Sequence, residues 1–272
     1  MADPLLPGPL WLIGCGNMGS AMLDGWIAAG VDPSHVSVVR PSGRAVGHGI
    51  RVLTECPEDE VPAIVLLAMK PRQLDAVAPE LAPVLDPQTI LVSILAGVEQ
   101  ESLRARFPTP GTIVRAMPNL PVRYEKGVVG LFSDSPDVAA RAMVTGLMAS
   151  LGHAEWFDDE SLFQLGGALT GAGPAFLFRF IEALGTAAEQ LGLPHDQAGR
   201  LATAMVEGAA IMAARSEEGP ARLAQRVASP GGTTEAGLDV LDAGDSLNDL
   251  VARTLEASRR RSHEMAAEAR RG

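Results

Sequence analysis

Lysine is almost absent from this chain. Of its 22 basic residues only Lys70 and Lys126 are lysines, so a mechanism that needs one has two positions to use. Tyr124 is the sole tyrosine, and Lys126 follows it by two residues, which excludes the Tyr-x-x-x-Lys pair of short-chain dehydrogenases. The two cysteines, Cys15 and Cys56, form no Cys-x-x-Cys and sit in no Cys/His cluster, so neither a disulfide framework nor a zinc or other metal site is expected. That low count fits a reducing, cytoplasmic compartment. Positive charge is also short: the net charge of −11 argues against nucleic acid, whose phosphates need a basic surface. No uninterrupted apolar run reaches the roughly 18 residues of a membrane span, and the opening MADPLLPGPLWLIGCGNMG lacks the positive start of a signal peptide. What the chain has in excess is backbone punctuation, with 29 glycines and 20 prolines in 272 residues.

Between these breaks lie short apolar runs: Leu10 to Cys15, Val36 to Arg40, Ile64 to Ala68, Ile90 to Ile94, Thr112 to Ala116 and Val128 to Phe132. They read as parallel strands buried on both faces. Helical patterns fall between them, including Asn17 to Gly30, Glu99 to Phe107 and Pro136 to Leu151. The predicted fold class is α/β, a Rossmann-type doubly wound sheet over residues 1–157. From residue 158 the strand pattern stops. Pro174 to Leu191, Asp196 to Arg215, Thr233 to Leu241 and Leu247 to Arg270 read as helices, a second all-α domain over 158–272.

Gly14-Cys15-Gly16-Asn17-Met18-Gly19 is a G-x-G-x-x-G between the first strand and its helix. The spacing serves a tight turn at Gly14, close approach of a pyrophosphate at Gly16 and helix–strand packing at Gly19, with the helix N-terminus presenting N–H groups to the phosphates. An NAD site wants an acidic residue at the end of the second strand. The chain instead reads Val39-Arg40-Pro41-Ser42-Gly43-Arg44, suited to a 2′-phosphate, so NADPH is expected over NADH.

The five histidines (His35, His48, His153, His195 and His263) lie outside the glycine motifs and read as surface residues, and no lysine follows residue 157. What fits is hydride transfer that needs little acid–base help, such as reduction of a protonated C=N bond. Ala68-Met69-Lys70-Pro71, Leu95-Ala96-Gly97 and Met117-Pro118-Asn119 end the third, fourth and fifth runs, where open sheets bind ligands, although tight sheet-to-helix turns look alike. Later come Thr170-Gly171-Ala172-Gly173-Pro174 and Ser229-Pro230-Gly231-Gly232-Thr233-Thr234. The latter exposes N–H groups and hydroxyls suited to a carboxylate, or is a helix start capped by Ser229 or Thr233.

Taken together, these segments resemble the pyrroline-5-carboxylate reductase family from Ile13 to about Met265, most closely over Val227 to Leu238. The resemblance implies reduction of 1-pyrroline-5-carboxylate to L-proline by NAD(P)H. It implies that Ile13, Gly14, Cys15, Gly16, Asn17, Met18 and Gly19 hold the pyrophosphate and that Arg40 and Ser42 lie near the adenosine ribose. Ala68, Lys70, Pro71, Ile94, Ala96 and Asn119 line the rest of the cofactor site. Glu160, Ser229, Gly231, Gly232, Thr233 and Thr234 meet the substrate, with the Thr234 hydroxyl beside the imine nitrogen. The helical domains of two subunits interleave in a homodimer, or in a ring of dimers. The chain departs from the family pattern at Ala172, Gln164, Gly167 and Arg226, and near Glu55 and Cys56. A reductase of another cyclic imine and a silent NADP-binding scaffold are the alternative readings.

Overall fold

A computed structural model describes residues 5–57 and 59–269. The expected helix end at Arg270 and the first four residues of the N-terminal segment lie outside the described residues. The chain forms two compact units. One is built from the described residues up to Ala172 plus those from Ser258 onward, and the other is Gly173–Ala257. The division expected at 157/158 falls ahead of α5 (Glu160–Thr170), and the units part after Ala172.

The first unit is an eight-stranded sheet of β1 (Leu10–Ile13), β2 (Val36–Val39), β3 (Arg51–Leu53), β4 (Ile64–Leu67), β5 (Ile90–Ser93), β6 (Thr112–Pro118), β7 (Gly127–Phe132) and β8 (Gly152–Trp156). Their spatial order is β3-β2-β1-β4-β5-β6-β7-β8. Its helices are α1 (Asn17–Ala28), α2 (Leu74–Leu81), α3 (Gln100–Arg106), α4 (Val138–Ala149) and α5. The four neighbouring strands β2, β1, β4 and β5 are buried at every residue. Alternate side chains enter two cores. Leu10, Leu12, Val36, Val38, Ile64 and Leu66 join Met22, Leu23 and Trp26 of α1 on one face. Trp11, Ile13, Val65, Leu67 and Leu91 join Leu74, Leu81, Leu103 and Phe107 on the other. This two-sided burial is why the strands read as continuous apolar runs. The Trp26 indole also donates to the Leu147 carbonyl (2.9 Å), tying α1 to α4 without leaving a buried N–H unpaired.

Two expectations need correction. β7 runs antiparallel to β6, whereas a parallel series was expected. Only residues 119–126 connect the two strands, and a parallel crossover needs a dozen or more. β3 and β8 were not anticipated. Both are sheet edges, and β8 exposes His153 and Glu155 on alternate positions, so neither has a two-sided apolar pattern.

The second unit is helical, with α6 (Gly173–Gln190), α7 (His195–Arg215), α8 (Pro220–Val227), α9 (Thr233–Asp242) and the start of α10 (Ser246–Ala269). α6 and α7 pack together, and a Cβ on Gly185 would lie 3.6 Å from the Gly199 Cα, so small residues allow their close approach. No helix among the described residues is long and apolar enough to cross a membrane.

Candidate active site

The C-terminal ends of β2, β1, β4 and β5 lie side by side. Main-chain bonds continue the ladders past the strands: Gly14 donates to Val39 O (2.8 Å), Ala68 to Ile13 O (2.9 Å), Ile94 to Leu67 O (3.2 Å) and Arg40 to Leu53 O (2.8 Å). The fold therefore gathers the glycine turn, Ala68–Pro71, Ile94–Gly97 and Arg40–Arg44 along one edge.

Each glycine of the turn has its own environment. Gly14 has φ +81°, and a Cβ there would come within 2.9 Å of Met69, so both backbone freedom and the close strand end exclude a side chain. A Cβ on Gly19 would lie 3.2 Å from the Ala68 Cβ, so the glycine lets α1 lie against the sheet. A Cβ on Gly16 would meet nothing within 4 Å, so the space in front of it is open. Gly16 is also the N-cap of α1 and has no side chain to close the helix end, which leaves first-turn N–H groups facing solvent. By contrast α4 and α5 begin at Asp137 and Asp159, whose carboxylates accept from Ala140 N and from Ser161 and Leu162 N. An open, uncapped, non-acidic helix start fits a pyrophosphate. Cys15 is buried with its Sγ 3.3 Å from Ser20 Oγ, so its side chain braces the turn.

Arg40 is half-buried, while Ser42 and Arg44 are exposed in the β2–β3 connection, with no carboxylate at the strand end. Ser42 Oγ accepts from Arg44 N (3.4 Å). Lys70 is exposed and its N–H is held by the Gln73 side chain (3.0 Å), while Pro71 starts a short 3-10 turn. Ile94 is half-buried, Ala96 is exposed, and Gly97 adopts φ +76° against the Met265–Ala266 backbone of α10.

Asn119 and Glu160 both have partners within the fold. Asn119 is buried: its amide nitrogen donates to Thr170 O (3.0 Å) and its oxygen accepts from Val128 N (2.9 Å). It braces α5 and β7, with one N–H and one oxygen lone pair of its amide committed to the fold. The Glu160 carboxylate forms an ion pair with Arg115 of β6 and accepts from Gln100 N (2.8 Å). The Arg115 side chain is only 5% exposed and lies 4.6 Å from the centre of the Phe163 ring. Burial pushes the Arg115 guanidinium below its ordinary pKa, and Glu160 opposes that shift. Sequence reasoning passed over Arg115, although a charge inside the apolar run Thr112 to Ala116 was a visible signal. A recess of about 530 Å³ lined by Gln100, Arg104, Phe132, Asp134 and Glu160 opens beside this pair, and none of its walls comes from the glycine motifs.

The remaining predicted residues fall in the second unit, whereas Glu160 falls in the first. Gly231 has φ +69°, and Gly232 is the N-cap of α9. The alternative reading, a side-chain cap from Ser229 or Thr233, does not form. Gly232 N donates to Ser229 O (2.8 Å), closing the turn, and Gly231 N donates to the Glu235 carboxylate (2.6 Å). The loop thus already holds one carboxylate oxygen, while the first-turn N–H groups of Thr233 and Thr234 have no acceptor within their own helix. Two departures noted in the sequence also gain an explanation or a partner. A Cβ on Gly167 would fall 1.8 Å from Met117 Sδ, so the missing side chain makes room for that methionine. Arg226 forms an ion pair with Glu218 (2.8 Å).

Comparison with known proteins identifies the family. Residues 160–265 match the family described as pyrroline-5-carboxylate reductase dimerisation, and residues 10–97 match that described as NADP oxidoreductase, coenzyme F420-dependent. The chain is 37% identical to the pyrroline-5-carboxylate reductase of Pseudomonas aeruginosa, covering 93% of this chain and 95% of that protein. The chain belongs to the pyrroline-5-carboxylate reductase family. The solved reductase of Coxiella burnetii superposes with a TM-score of 0.87 at 32% identity, over 95% of this chain and 98% of the other. The Plasmodium falciparum reductase, solved with NADP bound, shares the fold at 24% identity and a TM-score of 0.82, over 96% and 99% of the chains.

Proposed function

We propose that this protein reduces 1-pyrroline-5-carboxylate to L-proline, taking NADPH in preference to NADH. The observation that carries the reading is a pair of glycine-capped helix starts. α1 begins after Gly16 and α9 after Gly232, and neither is closed by its own cap side chain. One suits a pyrophosphate and the other a substrate carboxylate. When bound, the nicotinamide supplies the hydride for the imine carbon. The chain's own residues bind and orient. Ile13 to Gly19 hold the pyrophosphate, Arg40 and Ser42 face the 2′-phosphate, and Ala68, Lys70, Pro71, Ile94 and Ala96 flank the nicotinamide end. The N–H groups of Thr233 and Thr234 take the substrate carboxylate, beside the turn that Ser229, Gly231 and Gly232 shape. The Thr234 hydroxyl donates a hydrogen bond to the imine nitrogen, and the proton that this nitrogen takes up as its carbon gains the hydride comes from solvent water.

The second unit exposes large apolar side chains on α6 and α7, including Phe178 (60%), Leu201 (52%) and Met205 (52%). Such a surface favours burial against a second copy, and a homodimer or a ring of dimers belongs to this reading, as does a cytoplasmic setting. The test mixes purified protein with NADPH and 1-pyrroline-5-carboxylate and follows nicotinamide absorbance, with mass measured by light scattering. Turnover at a dimer mass or a multiple of it is expected. Turnover only with a different cyclic imine overturns the substrate, and NADPH binding without turnover of any imine favours a scaffold.

A further inference from the structure

The β2–β3 connection carries Arg40, Ser42 and Arg44, yet residues 41–45 are all exposed. Further along come three successive left-handed residues: Gly47 (φ +91°), His48 (φ +55°) and Gly49 (φ +70°). Two are glycine, for which this backbone is easy. His48 is not, and a bulky side chain in that region marks a constraint imposed from elsewhere. The constraint is visible. His48 Nε2 lies 2.9 Å from Asp24 Oδ1, and Arg123 Nε lies 3.2 Å from the other oxygen of the same carboxylate. Asp24 stands on α1, the helix whose first turn faces the pyrophosphate, and α1 is rigidly seated by buried Met22, Leu23 and Trp26.

We propose that His48 is a positioning residue that latches the 2′-phosphate-reading loop onto α1 through Asp24. The inference rests on the reading of Arg40 and Ser42 given above. The latch joins the two parts of the chain that meet the adenosine half of the cofactor, one at the pyrophosphate and the other at the 2′-phosphate. Releasing it leaves α1 unchanged and lets Arg40 to Arg44 sample more positions. NADPH, which needs that loop, is weakened, while NADH, which has no 2′-phosphate, is not. The pair is half-exposed, so the effect is modest, about two- to fivefold.

The experiment measures dissociation constants of NADPH and NADH by titration calorimetry on the full chain. The variant His48→Gly removes the imidazole and relieves the left-handed backbone, so its melting temperature should be no lower than that of the parent. The expected result is a two- to fivefold weaker NADPH, unchanged NADH, and the same loss in Asp24→Ala with no further loss in the double variant. Equal weakening of both cofactors, or unchanged NADPH, overturns the latch. Arg40→Asp in the same titration separates the two ideas. If it shifts preference to NADH while His48→Gly does nothing, the latch alone falls. If it leaves the preference unaltered, the 2′-phosphate reading falls and the latch with it.

Discussion

Removing the Glu160 carboxylate leaves Arg115 as a nearly buried cation. The Arg115 side chain is 5% exposed and that of Glu160 29% exposed, so the pair sits largely away from water. Breaking a buried pair from one side costs about 3–5 kcal/mol. The Phe163 face stays beneath the guanidinium, and Glu160 retains some contact with solvent, so the low end applies, about 3 kcal/mol for Glu160→Ala. For a unit of this size that is roughly 6–12 °C in melting temperature. Glu160→Gln keeps an oxygen for Gln100 N–H and loses about half as much. Replacing both partners, Arg115→Met with Glu160→Leu, restores most of the loss because no orphan charge remains. The assay is thermal unfolding of the three variants beside their Michaelis constants for the imine. If Glu160→Ala melts like the parent while KM for the imine rises tenfold, the carboxylate belongs to the substrate and the structural account is wrong.

Thr234→Ala should lower kcat at least about tenfold with NADPH affinity unchanged, because a hydrogen bond to a developing charge is lost while the cofactor turn is untouched; calorimetry beside steady-state kinetics checks this. Gly166→Ala should destabilise the first unit by about 1–3 kcal/mol, since a Cβ there would fall 2.3 Å from the Phe157 ring, and denaturant unfolding reads the loss. The Glu189 carboxylate, by hydrogen bond and charge, raises the His195 pKa above 6.5. A raised pKa means the protonated form is favoured in the folded state, so its stabilisation is complete below pH 6.5 and is lost as pH rises through the folded value. NMR titration of the imidazole should show the upward shift, and Glu189→Gln should remove it.

The sequence was most readable where a residue's role is set by its immediate neighbours. The Gly14, Gly16 and Gly19 spacing, the strand runs through β1, β2, β4 and β5, and the Gly231-Gly232 helix start each depend on local backbone geometry or on burial that touches every position. The edges were harder. β3 and β8 have solvent on one side, and the reversal of β7 came from the short 119–126 connection, which apolar patterning does not register. The largest divergence concerned charge. Glu160 and Asn119 lie in the stretches expected to meet ligand, yet what a carboxylate or amide does depends on what the fold brings to it from far along the chain. For Glu160 that is Arg115, 45 residues away, and for Asn119 it is Thr170 O, 51 residues away. His48 is a surface residue, as its sequence context indicates, but its pairing with Asp24, 24 residues earlier and 2.9 Å from its ring, is not legible in the sequence. The sequence by itself determined the buried strands β1, β2, β4 and β5 and the glycine turns, because these follow from local sterics and apolar periodicity. Tertiary structure alone decided which polar side chains pair with one another, because pairing is decided by distance in space.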